Sequence, residues 1–381
     1  MAIDLDSIIE RVGTDFAGRA AELDATDRFP AEGYETLRGH KVFSALVPET
    51  LGGGGASHKE MCEFLRKLAH CCPSTALALS MHQHLVAAAV ANDLAGRPGQ
   101  ALLQRVADGE TILVSTGAND WLESNGAAER TDGGYRVTAV KPFASGSPKG
   151  DVLVTSTAYD DPLEGPQVLH FPVPLSAEGI TLMDDWETLG MCATGSQTIR
   201  LEKVFVPDAA IALRRPRGAF HPAYGVILTV ALPLIMSVYV GIAEAAAEIA
   251  IERARTRADD SAIAMLAGET ETLLVTAQIA RDDMIRLANG FDFQPSAQIA
   301  SAALTRKTVC ARHAIATVEK ALELTGGSGY FRKAGLERLL RDVHASRFHP
   351  LPEKRQALFT GRLALGLEPV ESGRKPLPAA A

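Results

Sequence analysis

The segment "LTGGSGYFRKAGLERLLRDVHASRFHP" holds the densest set of chemically useful residues in this 381-residue chain. Gly326, Gly327 and Gly329 crowd behind Thr325, and His349 sits where the following helical pattern stops. Glycine has no Cβ, so such a cluster lets backbone approach a phosphate closely. The same residues also build helix C-caps and tight turns. The cluster follows a helical run rather than a strand, so it is not a dinucleotide fingerprint. "LGGGGASHK" is not a phosphate loop either, because no Gly-Lys-Ser/Thr follows it. His349 has the side chain whose proton moves near neutral pH. Its plainer reading is a helix-end histidine meeting the negative end of the helix dipole. His82 and His84, two apart on a helical pattern, face apart and make a poor metal pair. Arg214, Arg215 and Arg217 could meet a phosphate, but they read first as a solvated basic loop.

Three kinds of element must position these residues. Residues 1–108 read as an N-terminal helical domain. Pro73 opens one helix there, and Ser57 with Glu60 forms a capping-box pattern before another. Residues 109–216 change texture. "TILVSTG", "GGYRVTAVKPFAS", "DVLVTSTAY", "GPQVLHFPVP" and "QTIRLEKVFVP" are short, β-branched and punctuated by turn residues, as in a β-sandwich or barrel. Residues 217–366 return to long helical periodicity and predict an antiparallel, four-helix-type bundle, and 367–381 form a Pro- and Ala-rich loose tail. The fold class is therefore α+β multi-domain.

Composition excludes several functions. A net charge of -8 without a basic stripe argues against a nucleic-acid partner. The five cysteines form no C-x-x-C pair and are odd in number, which predicts free thiols in a cytoplasmic, reducing setting. The run Ala223 to Ala243 is uncharged and long enough to span a bilayer. It contains Pro233, Ser237 and Tyr239 and leads into an amphipathic pattern, so a helix buried within a bundle is expected rather than a membrane span.

The helical–β–helical order, "VPETLGG", "LGMCATGSQTIRLEKVFVP" and "LTGGSGYFRKAGLERLLRD" together resemble the acyl-CoA dehydrogenase superfamily over nearly the whole chain. The resemblance implies a flavin, usually FAD with FMN possible, between the β domain and the bundle of a homotetramer or dimer. It implies Ser115 and Thr116 as flavin hydrogen-bonding positions, and Phe143 and Ser145 as an aromatic face and hydroxyl lining the ring. Arg257 matches a cofactor-binding arginine, although the Phe-Gly after it is Asp260-Ser261 here. Thr325, Gly326, Gly327 and Gly329 match a turn that approaches the flavin of a neighbouring subunit. Glu323 stands where a glutamine is usual, and its carboxylate would repel a pyrophosphate unless neutralised.

The larger branch of this superfamily oxidises a CoA thioester with a glutamate base and passes electrons to a protein partner. An ungapped count from Arg341-Asp342 puts His349 and Pro350 where the usual Tyr-Glu pair falls. The second family position for the base falls near Ala231. Glu337 or Glu353 could serve only with a different local backbone. The alternative is a monooxygenase supplied with reduced flavin by a reductase, with His349 in the site and a small aromatic, sulfur or amine substrate. A third reading is an inactive ligand-binding relative.

Overall fold

The computed structural model describes residues 2–116, 120 and 122–370. The expected loose tail falls mostly outside them, although Arg362 still holds the carbonyl of Glu368 at 2.6 Å. The helical N-terminal part comprises α1 (Leu5–Ala25), α2 (Ala31–Gly39), α3 (His58–Cys71), α4 (Pro73–Leu94) and α5 (Gln100–Gly109). The capping box at α3 forms as its sequence requires. The Glu60 amide donates to Ser57 Oγ at 3.2 Å, and the Ser57 amide donates to Glu60 at 2.7 Å.

Eight strands follow: β1 (Leu113–Ser115), β2 (Ala127–Thr131), β3 (Gly134–Ala144), β4 (Val152–Asp161), β5 (Gly165–Pro174), β6 (Ile180–Leu182), β7 (Gln197–Pro207) and β8 (Leu213–Pro216). They form two four-stranded sheets, ordered β1-β4-β5-β8 and β2-β3-β7-β6. Val114, Leu153, Leu169 and Phe171 of the first sheet share one core with Tyr135, Val137, Ile199 and Leu201 of the second. That makes the β unit a sandwich. Within it Arg215 is buried, contrary to the basic-loop reading. Its Nη1 donates to the Leu122 carbonyl at 2.6 Å, its Nε to His170 at 3.0 Å, and its guanidinium lies over the Tyr224 ring. Those partners are scattered along the sequence, so three arginines in four residues gave no sign of the burial.

The bundle comprises α6 (Pro222–Ala254), α7 (Ser261–Ala288), α8 (Ala297–Thr325), α9 (Leu336–His344) and α10 (Glu353–Ala364). Helix α6 carries the uncharged run, and 94% of its most apolar window is buried. It packs against α3, α4, α7 and α8, so protein covers the surface that lipid would otherwise cover. It continues through Pro233, which lacks the N–H that a helix would offer four residues back. Nearby, His58 donates from Nε2 to the Val230 carbonyl at 2.8 Å, bringing a side chain of α3 onto the backbone of the interrupted turn.

Candidate functional site

Two clusters form at junctions between these layers. The first lies at the end of the sandwich. A register shift between Lys141 and Ala144 ends the regular pairing of β3 with β7. It places Phe143 in the left-handed region at φ 62°, with its ring half exposed and edge-on to Trp186. A left-handed aromatic residue is costly and persists only where its surroundings hold it. Two residues beyond Phe143 a chain of hydroxyls begins. Ser145 Oγ meets Ser196 Oγ at 2.7 Å, and Ser196 Oγ meets Thr194 Oγ1 at 2.7 Å. Thr194 then donates to the Met191 carbonyl at 3.0 Å, which also accepts from Trp186 Nε1 at 3.2 Å.

Ser115 is buried at the end of β1, beside β4. The neighbouring Thr116 hydroxyl is engaged by Asp120 and by Thr155, the latter at 3.1 Å. Asp120 is in turn paired with the buried Lys141 at 2.7 Å. His82 anchors this strand to α4. Its Nδ1 accepts from the Leu113 amide at 2.9 Å, while Nε2 donates to the Phe43 carbonyl at 2.8 Å. Both nitrogens are spent on backbone, so His82 is structural and not a metal ligand.

The second cluster centres on His349, between the N-terminal helices and the bundle. Its Nε2 lies 2.5 Å from the Tyr239 hydroxyl of α6. Burial, then the nearby Lys307 cation and then His84, hold His349 down to about 3, so it is neutral at physiological pH. His84 is likewise depressed by burial, to about 4, and its Nδ1 has no partner among the described residues. Lys307 is buried on α8, donates to the Leu351 carbonyl at 3.3 Å, and is lowered to about 8 by burial. Burial raises the Tyr239 phenol well above its ordinary value. Tyr239 and Lys307 were not singled out as site residues by sequence, and His84 was weighed only as half of a metal pair with His82. The only available signal was a phenol placed in an otherwise apolar helix.

Neither glutamate named from the sequence stands as an unpaired base. Ala231 is a core residue of α6, eight residues from Tyr239, which is about 12 Å along the axis. Glu337 is paired with Arg341 at 2.8 Å and Glu353 with Arg312 at 2.5 Å.

The glycine turn lies elsewhere. Thr325 is 18 residues beyond Lys307 on α8, about 27 Å along the helix. At the turn, Arg257 donates to the Leu324 carbonyl at 3.0 Å, so those two positions do come together. Glu323 has the neutralising partner it needs, because Lys320 Nζ lies 2.7 Å from its carboxylate. Gly326 takes φ 58°, ψ -152°, a region open essentially to glycine alone. Gly327 has no such backbone requirement, and a Cβ there would meet nothing within 4 Å. Thus Gly326, not Gly327, is the conformationally constrained glycine.

The family model for the acyl-CoA dehydrogenase N-terminal domain matches residues 6–110, and the model for its C-terminal domain matches residues 234–352. The chain belongs to the acyl-CoA dehydrogenase superfamily. Within this superfamily of flavin-dependent oxidoreductases it is similar to a putative acyl-CoA dehydrogenase, YdbM, of Bacillus subtilis, at 27% identity over 90% of this chain and 91% of that one. It is also similar to the isobutylamine N-hydroxylase of Streptomyces viridifaciens, at 29% over 86% and 88%. Among solved structures, KijD3 in complex with FMN and a dTDP-amino sugar superposes with a TM-score of 0.86, at 26% identity over 96% and 94% of the two chains. The residues fit a flavin. The half-exposed Phe143 ring offers a face, and the Ser145–Ser196–Thr194 chain offers hydroxyls that donate or accept as the ring requires.

Proposed function

We propose that this superfamily member is a monooxygenase that takes up reduced FMN and transfers one oxygen atom to nitrogen or sulfur of a small molecule. The observation that carries this reading is the neutral His349–Tyr239 pair, next to Pro350, where an ungapped count puts the glutamate of a dehydrogenase. Removing the α-proton of a CoA thioester needs a carboxylate within hydrogen-bond reach. The candidates are Ala231, Pro350, and two glutamates already paired to arginines. The isobutylamine N-hydroxylase relative supports the same direction.

Reduced flavin, when bound, supplies the two electrons that divide O₂ between product and water. The residues of the chain handle protons and exclude bulk water. Neutral His349 can hydrogen-bond the reacting heteroatom and relay a proton in concert with the Tyr239 hydroxyl, gaining no net charge of its own. Lys307 disfavours a second positive charge nearby. An amine would therefore react as its free base, which is also the nucleophilic form.

FMN is favoured over FAD because the similar KijD3 structure holds FMN. The turn with Arg257 fits a role toward a second copy of the chain. The half-exposed to exposed Met265, Val275 and Ile279 on one side of α7 agree with a homotetramer built on the bundle. The electron partner would be a flavin reductase.

The test is direct. The protein is supplied with FMN, a reductase, NADH and O₂, together with a panel of primary amines and thioethers. Oxygenated product is expected from at least one member. His349→Ala should lower product by about 10²–10⁴-fold while hydrogen peroxide release persists. Product formation unaffected by His349→Ala would overturn the assignment.

A further inference from the structure

Asp342 is a carboxylate that the mechanism above does not use, yet it is buried, at 2% exposure, where three parts of the chain meet. Its Oδ1 accepts the backbone amide of Met191 at 2.5 Å. Met191 lies in the left-handed region at φ 56°, a conformation that a side chain of this size adopts only when held. Its neighbour Gly190 passes so close to α9 that a Cβ would lie 2.4 Å from the Arg341 carbonyl carbon and 2.7 Å from the Asp342 nitrogen. Arg341 closes the same junction from the other side. It donates to the Leu189 carbonyl at 3.0 Å, pairs with Asp24 of α1 at 2.6 Å, and pairs with Glu337 at 2.8 Å.

The far side of this turn is the layer assigned to the flavin. The Met191 carbonyl receives Trp186 and Thr194, and Thr194 leads through Ser196 to Ser145. The Thr194 carbonyl also accepts the Gly146 amide at 3.0 Å, and Ser147 donates to the Gly195 carbonyl at 3.0 Å. We propose that Asp342, braced by Arg341, is a positioning residue that fixes the left-handed Met191 turn and so holds Ser145 and Trp186 in register beneath the flavin ring. The proposal rests on the flavin placement argued above.

The charge of Asp342 makes this testable. Burial pushes its carboxyl up to about 7, against the Met191 amide and the nearby arginines, which favour ionisation. The titratable and charged groups facing it are Asp24 of α1, Cys72 between α3 and α4, Arg338 and Arg341 of α9, and Tyr239 of α6. An ionised carboxylate holds an amide more strongly than a protonated one. Flavin affinity should therefore tighten as pH rises through about 7. Stability runs the other way. The folded state holds a proton that the unfolded chain releases at lower pH, so ionisation above about 7 costs folding stability in full. A site that destabilises its own fold in order to hold a turn is expected where function needs that turn.

FMN binding is measured by fluorescence quenching between pH 6 and 8 for the wild type, Asp342→Asn, Asp342→Ala and Phe143→Ala. Asn keeps an acceptor for Met191 but cannot ionise. Asp342→Asn should bind at pH 8 about as the wild type does at pH 6, lose the pH dependence, and melt at higher temperature at pH 8. Asp342→Ala should bind at least about tenfold more weakly with its helical signal intact. Should Asp342→Ala not fold, the Asp342→Asn profile decides alone. A wild-type profile that is flat, or that Asp342→Asn shares, overturns the proposal. Phe143→Ala separates the two failures. If it weakens binding while both Asp342 variants do not, the flavin site stands and the latch falls. If it leaves binding unchanged, the flavin is elsewhere and the proposal falls with that placement.

Discussion

Tyr239 and His349 lie 110 residues apart in sequence and 2.5 Å apart in space. The phenol comes from the middle of the most apolar helix in the chain, and the imidazole from the irregular segment after α9. Neither is ionised near neutral pH: burial raises the phenol and lowers the imidazole. The pair is thus a neutral hydrogen-bonding unit in an apolar wall. Such a unit can exchange one proton, but it lacks the charge needed to remove an unactivated one.

The histidines make the fold acid-sensitive. His58, His82 and His84 are held by burial at about 4, and His349 and His170 at about 3. Each is depressed below its unfolded value, so the unfolded chain binds protons that the folded chain refuses as pH falls below about 6.5. The histidine contribution is complete above that pH and drains away below it, by up to about 1.4 kcal/mol per pH unit for each histidine. Urea midpoints should fall steeply from pH 6.5 to pH 5. Equal midpoints at pH 5 and pH 7 would show that these rings are protonated in the folded state.

At the glycine turn, Gly326 and Gly327 should behave differently. Gly326→Val forces a side chain into φ 58°, ψ -152°, at a cost of about 1–3 kcal/mol. Gly327→Val has room and ordinary backbone geometry, so its cost should stay near the small propensity difference. Thermal melts of the two variants compare them directly. Equal losses would mean that a bound group or a second copy fills the space beside Gly327.

Much of the architecture was legible because its signals are local. Strand β7 occupies the β-branched stretch that the sequence marked, Gln197–Pro207, and the Ser57–Glu60 cap sits where its spacing put it. The burial of α6 followed from the uncharged run Ala223 to Ala243 within it. The site was legible only in part. His349 could be placed by counting from Arg341-Asp342, but its partners His84, Tyr239 and Lys307 come from three other helices. Nothing in the sequence near each of them announces the meeting. Arg215 failed for the same reason, because its burial depends on a carbonyl at Leu122 and an imidazole at His170.

Lys307 carries a buried cation whose one hydrogen bond among the described residues is to the Leu351 carbonyl. Burial lowers it to about 8, so the folded state gives up a proton that the unfolded chain keeps up to about pH 10. Stability should therefore rise with pH across that window in the wild type. Lys307→Met removes the charge and keeps the volume. It should melt higher than the wild type at pH 7 and lose that rise. It should also let His349 titrate nearer its ordinary value, read by NMR of labelled histidine. A Lys307→Met protein that is less stable at pH 7, with His349 unmoved, would mean that the cation is compensated within the fold.

The last prediction separates the two chemistries open to this superfamily. A dehydrogenase must take a proton from carbon next to a thioester, and a positioned base contributes about 10²–10⁴-fold to that step. Here the two base positions hold Ala231 and Pro350, and Glu337 and Glu353 are tied to Arg341 and Arg312. The buried Asp342 is occupied by the Met191 amide and faces the sandwich turn. His349 is neutral, and as a base for so weak an acid it falls far short of what the reaction demands. Mixed anaerobically with saturated acyl-CoAs of several chain lengths, the flavin-loaded protein should keep its oxidised absorbance for minutes. Dithionite added to the same sample should bleach it at once, showing that the flavin is competent. Rapid bleaching by any acyl-CoA would require a carboxylate to reach the substrate, and would return the protein to the dehydrogenase branch. Glu353→Gln and Glu337→Gln would then identify which arginine pair had opened.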